Sequence, residues 1–225
     1  MSQQEMAAAL KRAAAELELS LDERQENAIL AYMTQIQKWN KTYNLTALRT
    51  PDQILVQHVL DSLSVVNPIR RFLAAHSKNE SAVIVDVGSG AGLPGTLLAV
   101  MHPEWQVHCI DAVEKKMAFV RQMSSVLGLS NLHAVHGRVE QLPAYEADIV
   151  VSRAFASLPD FVELAGRHVA PHGTVLAMKG KVPQDEIDSL HAAQSQWQVQ
   201  GIEALHVPLL DAQRCLVWIH RQGNS

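Results

Sequence analysis

The chain has 225 residues, 48% of them hydrophobic and 19% charged, which suits one well-cored globular domain with a small appendage and excludes a disordered chain. It contains no run of roughly 18 apolar residues, so no transmembrane helix is expected. Its N-terminal "MSQQEMAAALKRAAAELELS" lacks the pattern of a signal peptide, and the expected location is cytoplasmic. A formal net charge of -4 argues against a bulk electrostatic polyanion binder and leaves room for a local basic face.

In chain order, residues 1–75 read as a helical extension. Ser2 with Glu5, Ser20 with Glu23 and Thr50 with Gln53 fit capping-box spacing, and Pro51 sits at the favoured first helical position. Ile29, Met33 and Ile36 recur at helical spacing, as do Leu55, Val59, Leu63 and Val66, until Asn67-Pro68 is expected to stop the helix. The polar stretch "AHSKNES" (75–81) reads as a link. Residues 76–225 form a second unit in which short β-branched runs alternate with helices. The runs are "AVIVDV", "WQVHCID", "LHAVH", "ADIVVS", "GTVLAMK" and "RCLVWIH", with helices expected near 93–101, 114–127, 158–169 and 184–195. Alternation implies right-handed crossovers and an α/β fold with a mostly parallel sheet. Only a short connection separates "WQVQGIEALHVPLL" from "RCLVWIHR", so those last two strands are expected to pair antiparallel. Cys109 and Cys215 lie inside apolar runs and read as buried thiols.

"VDVGSGAGLPG" (85–95) closes the first of these strands. In a doubly wound sheet that end of the strand is where ligands bind, and glycines there let the backbone approach closely. Gly88, Gly90 and Gly92 are therefore candidate cofactor contacts, although a ligand-free tight turn would also use them. A dinucleotide fingerprint would need glycine at 93, where Leu93 stands. Asp111 ends the second strand about 20 residues on, where a carboxylate can accept ribose hydroxyls. Asp86 could meet a cofactor ammonium group or cap the turn. The G-x-G-x-G form and the antiparallel last strand resemble class I S-adenosylmethionine-dependent methyltransferases with a Rossmann-like seven-stranded sheet.

Seven stretches occur in order: "WNKTYNLTAL" (39–48), "HVLDSL" (58–63), "DVGSGAGLPG" (86–95), "DAVEKKMAFV" (111–120), "GRVEQL" (137–142), "SRAFASL" (152–158) and "MKG" (178–180). Together they resemble the RsmG (GidB) family over nearly the whole chain. The resemblance implies a methyltransferase that acts with S-adenosylmethionine on N7 of guanine 527 in 16S ribosomal RNA, as naked RNA or in the small subunit. It also implies cofactor contacts at Gly88, Leu93, Val139, Glu140 and Arg153. By its residue type alone Arg153 could equally meet the methionine carboxylate, RNA or a surface acid.

Attack by guanine N7 needs no proton removed, so no general base is expected, and alignment of the reactants supplies the rate. Candidates for the RNA or guanine pocket are Asn44, Thr46, His58, Asp61, Ser62, Lys115 and Lys179. His58, Asp61 and Ser62 share one helix side and could instead form a buried polar network. Lys115-Lys116 could be a solvated helix face, and Trp39 and Tyr43 could stack on a base or fill the core. The eleven histidines show no ligand spacing with cysteine or carboxylate, so no metal is expected. Two other readings are a nicotinamide-dependent oxidoreductase, disfavoured by Leu93, and a non-catalytic RNA-binding assembly factor.

Overall fold

A computed structural model of the chain describes residues 3–76, 81–153 and 155–223. Helices α1 (Gln3–Glu16) and α2 (Glu23–Tyr43) open the chain. The cap of α2 is Asp22, not Ser20: its Oδ1 accepts from the Gln25 N–H at 2.7 Å, and Gln25 Oε1 accepts from the Asp22 N–H at 3.0 Å. A carboxylate at the positive end of a helix is a better acceptor than a hydroxyl, which explains the displacement. Ser2 lies outside the described residues. The Thr50–Gln53 capping box with Pro51 is present and starts α3 (Pro51–Ile54). It runs into a π-helical turn, Leu55–Leu60, and a last turn, α4 (Asp61–Leu63).

The expected stop at Asn67-Pro68 is corrected. The helix breaks earlier, at Ser64–Val65, and α5 (Val66–Ala75) begins there with Pro68 in its first turn. That turn has no i−4 partners for its N–H groups, so a proline costs nothing in it. Of the proposed link, residues 77–80 lie outside the described residues.

Seven strands follow: β1 (Val83–Val87), β2 (Gln106–Asp111), β3 (Leu132–His136), β4 (Ala147–Ser152), β5 (Val169–Lys179), β6 (Trp197–Leu205) and β7 (Arg214–Arg221). Helices α6 (Gly95–Met101), α7 (Glu114–Val126), α8 (Leu158–Ala165) and α9 (Gln184–Ala193) connect them. Between β3 and β4 the only helical element is a 3-10 turn, Val139–Gln141, so the alternation is not complete. Sheet order is β3-β2-β1-β4-β5-β7-β6, and all pairs are parallel except those of β7. β5 starts four residues before the expected "GTVLAMK", with a register shift against β4 between Ala147 and Ile149. Gly173 permits that shift, because a Cβ there would lie 2.5 Å from the Ala147 carbonyl oxygen.

Two apolar layers flank the sheet. One joins β-strand side chains to α1, α2, the 51–75 helices, α6 and α7, so Leu10, Ile29, Ile54, Leu97, Phe119 and Leu176 share one core. The other lies under α8 and α9, around Val150, Phe161, Leu190 and Trp197. The order of strands reverses between β1 and β4, and the loops at their carboxyl ends open there.

Candidate active site

The loop after β1 turns on three left-handed glycines, Gly88 (φ 64°), Gly90 (φ 61°) and Gly92 (φ 85°). At Gly92 the requirement is double, since a Cβ would also sit 2.5 Å from Thr96 Oγ1 and 2.9 Å from Val120 Cγ2. Asp86 is fully buried, and its Oδ2 accepts from the Gly95 N–H at 2.7 Å. Of the two roles open to it, the structure has the cap. Burial raises the Asp86 carboxyl to about 7, opposed by the Gly95 hydrogen bond and by Arg153. Tyr32 of α2 braces the same loop, donating its hydroxyl to the Ala91 carbonyl at 2.8 Å.

Beside this loop lies a cleft of about 560 Å3, within the range of small-molecule sites. Gly88, Asp111, Val139 and Glu140 line it, as the sequence suggested. Asp111 accepts from the Gly90 N–H at 3.0 Å, the Val113 N–H at 2.9 Å and Lys116 Nζ at 3.4 Å. A carboxylate has about four acceptor positions, so one remains for a ribose hydroxyl. Val87, Ile110, Val139 and Leu164 supply apolar wall for a base. These residues fit a nucleoside-bearing cofactor. Gly90, Gly92 and Leu93 are not on the wall: the first two shape the loop, and Leu93, 2% exposed, packs into the core.

Arg153 is not among the residues that line this cleft, although it lies near enough to Asp86 to oppose the rise of its carboxyl. It lines a neighbouring cavity of about 420 Å3 with His58, Asp61, Lys179 and Arg214. Asp61, 3% exposed, holds Arg153 NH1 at 3.3 Å and Arg214 Nε at 2.8 Å. Arg153 also donates to the Gln57 carbonyl at 2.9 Å and contacts His58 Nδ1 at 3.2 Å. The same Nδ1 lies 3.2 Å from the Gln57 carbonyl, and Nε2 is buried without a partner. Burial, and then Arg153, lower His58 to about 4, which keeps the ring neutral. The π-helical turn places Gln57 and His58 here, and such turns cluster at functional sites. Lys179 Nζ donates to the Ala156 carbonyl at 3.0 Å and pairs with Glu186 at 2.8 Å.

The other RNA candidates stand elsewhere. Ser62 is fully buried, with its hydroxyl unpartnered. Asn44 caps α2 in a left-handed conformation (φ 48°) and accepts from Arg49 at 2.9 Å. Thr46 braces the following loop through Asn40 and Leu48, and that loop brings Ala47 and Leu48 to the basic cavity. Lys115 is tied to the Tyr43 carbonyl at 3.1 Å. Trp39 packs on Phe119 and Tyr43 and lines neither cavity. Sequence reasoning missed Gln57, Phe155 and Arg214; nothing in a strand such as "RCLVWIH" marks its first residue as part of a site. Among the described residues, no group of three or more His, Cys, Asp or Glu could hold a metal ion, and no helix is long and apolar enough to cross a membrane.

Solved structures share this architecture. A SAM-dependent methyltransferase from Aquifex aeolicus superposes with a TM-score of 0.56 at 16% identity, covering 78% of this chain and 96% of its own. A ribosomal protein L11 methylase from Lactobacillus delbrueckii gives 0.53 at 15% identity over 73% and 78%. These place the fold among class I methyltransferases. In sequence, a ribosomal RNA small subunit methyltransferase G from Bordetella petrii is 59% identical, covering 96% of this chain and 83% of its own. The protein of that name from Methylibium petroleiphilum is 47% identical over 97% and 96%. The family model described as rRNA small subunit methyltransferase G matches residues 25–217. On fold, site and sequence together, the chain belongs to the family of rRNA small subunit methyltransferase G.

Proposed function

We propose that the chain transfers the methyl group of S-adenosylmethionine to N7 of a guanine in 16S ribosomal RNA, nucleotide 527 in the resembling family. The observation that carries this reading is the pairing of a nucleoside-sized cleft around Gly88 and Asp111 with a cation-lined cavity beside it. The cofactor supplies an activated methyl group. Asp111 holds the ribose, Val139 and Glu140 edge the base, and Gly88 lets the backbone approach. Arg153, Lys179 and Arg214 offer the cations that an RNA substrate meets. Arg153 acts on the RNA side in this reading, and Asp86 and Gly92 act through the loop that they hold.

Guanine N7 is a lone-pair acceptor with no proton to lose, and the chain's work is alignment and exclusion of water. Incubating the protein with tritiated-methyl S-adenosylmethionine and small subunits lacking the modification, then mapping the label, tests the reading. Label on one guanine N7 of 16S RNA is the expected result. Label elsewhere, or cofactor binding without transfer, overturns the acceptor assignment.

A further inference from the structure

Between the cofactor cleft and the basic cavity lies a third, smaller one of about 140 Å3, the scale of one nucleobase and not of a nucleotide. It shares Phe155 and Ala156 with the cleft, and Arg153, Met178 and Lys179 with the basic cavity. The three therefore form a row along the carboxyl ends of β1, β4 and β5. Phe155 is the aromatic ring at both the first and the third, and it is half-buried. Its position is fixed from two sides. The ring lies over Gly88, where an added Cβ would come within 2.8 Å of Cδ2, and Phe161 meets it edge-on at 5.9 Å and 62°.

We propose that this small cavity receives the acceptor guanine, stacked on Phe155 and turned out of its RNA strand. The inference rests on the function proposed above and names the residues that recognise the base. Unstacked bases in RNA are held on aromatic faces, and enzymes that modify a base draw it into a closed pocket. Trp39 and Tyr43, the aromatic residues singled out in the sequence, are bound to Phe119 and to each other instead.

The cations at the rim suit N7 as nucleophile. A guanidinium that grips O6 and N7 together would occupy the lone pair that must react. Arg153 has its Nη1 committed to Gln57 and Asp61 and its Nη2 beside His58, which ties the guanidinium to the wall of the basic cavity. Lys179 Nζ gives two of its three donors to Ala156 and Glu186, and in this proposal the third serves O6 while N7 is left bare. In the transfer the N7 lone pair forms the bond to the methyl carbon. The carbon–sulfur bond breaks with its electron pair left on sulfur, and no proton moves. The purine then carries the positive charge. Asp61 on Arg153 and Glu186 on Lys179 temper the cations that would otherwise oppose it.

The test compares wild type, Phe155→Leu and Phe155→Tyr, each titrated calorimetrically with S-adenosylmethionine and assayed for transfer to unmodified small subunits. At saturating S-adenosylmethionine, Phe155→Leu is expected to lower kcat/KM for subunits about 5- to 150-fold, the span of base–aromatic stacking, a loss separate from any change in cofactor affinity that follows from the ring's place on the cleft wall. Phe155→Tyr keeps a π face and is expected to restore most of that loss. Phe155→Met gives the same comparison should leucine unfold the chain. An active wild type with an equally active leucine variant overturns the pocket and leaves the function standing. A loss in Phe155→Leu that cofactor saturation abolishes also overturns it, by assigning the ring to the cofactor alone. A wild type that labels no guanine N7 overturns the function itself and the pocket with it.

Discussion

The cofactor cleft and the basic cavity lie side by side along one edge of the sheet, yet they are made of different material. The cleft is drawn largely from short contiguous segments, among them a glycine loop, a strand end and a 3-10 turn, with Asp111 tied to the loop backbone. The basic cavity is mostly side chains, drawn from positions 57, 58, 61, 153, 179 and 214 and held in register by one buried carboxylate. A site of the first kind is set by local backbone conformation and the few side chains that each segment carries. A site of the second kind depends on a charge balance that no single segment contains.

Removing Asp61 should break the contrast most sharply. Asp61→Ala leaves Arg153 and Arg214 without their shared partner, and loss of one member of a buried ion pair costs about 3–5 kcal/mol. Chemical denaturation should record that loss, while cofactor affinity in the folded fraction holds. Cofactor affinity that falls in step with stability would mean that the two sites are not separately built.

Protonation of Asp86 sharpens the comparison from the other side. Its folded pKa, about 7, stands above the ordinary value of 3.8. A raised carboxyl contributes stability that is fully present below about pH 4 and is lost as pH rises through about 7. The total is at most about 4 kcal/mol, at ~1.4 kcal/mol per unit. Stability curves of wild type and Asp86→Asn should therefore diverge between pH 4 and 7 and run parallel above it. His58 has the opposite sign: its lowered pKa, about 4 against 6.5, adds stability that is lost as pH falls below 6.5 towards 4. Asp86→Asn curves that keep the wild-type slope would remove the buried cap from the account.

The glycines give a smaller and graded effect. Gly92→Ala combines left-handed strain with overlap on Thr96 and Val120 and should cost about 2–4 kcal/mol. Gly90→Ala meets nothing within 4 Å and should cost only about 1–2 kcal/mol, from φ alone. Equal melting points for the two variants would refute the distinction. Asp111→Ala leaves the fold intact and is expected to weaken S-adenosylmethionine binding by about 1–3 kcal/mol in calorimetric titration. Unchanged affinity would sink the ribose assignment.

The two sites were also unequally legible. Gly88 and Asp111 could be read because each ends a β-branched run, and a doubly wound sheet directs strand ends to the ligand, whereas Val139 and Glu140 came with the family resemblance. For Leu93 and Arg153 the resemblance implied cofactor contact, and local pattern says nothing of their surroundings: the Leu93 side chain is buried and Arg153 pairs with Asp61. Within the extension, periodicity found Ile29, Ile36, Leu55 and Val59 as core, while the cap moved from Ser20 to Asp22. The break moved from Pro68 to Ser64, since a proline in a first turn begins a helix as readily as it ends one.

By itself the sequence determined the alternating α/β plan, the antiparallel last strand, the bare backbone after β1 and the carboxylate after β2. All of these follow from local periodicity and from the conformations that glycine allows. Tertiary structure alone decided the insertion of β7 between β5 and β6, the bracing of the glycine loop by Tyr32 across 59 residues, and the meeting of Asp61 with Arg153 and Arg214. Those contacts join residues far apart in the chain. Their cause is the shared core that carries the N-terminal helices onto the sheet, and neither periodicity nor spacing records which distant charges that packing brings together.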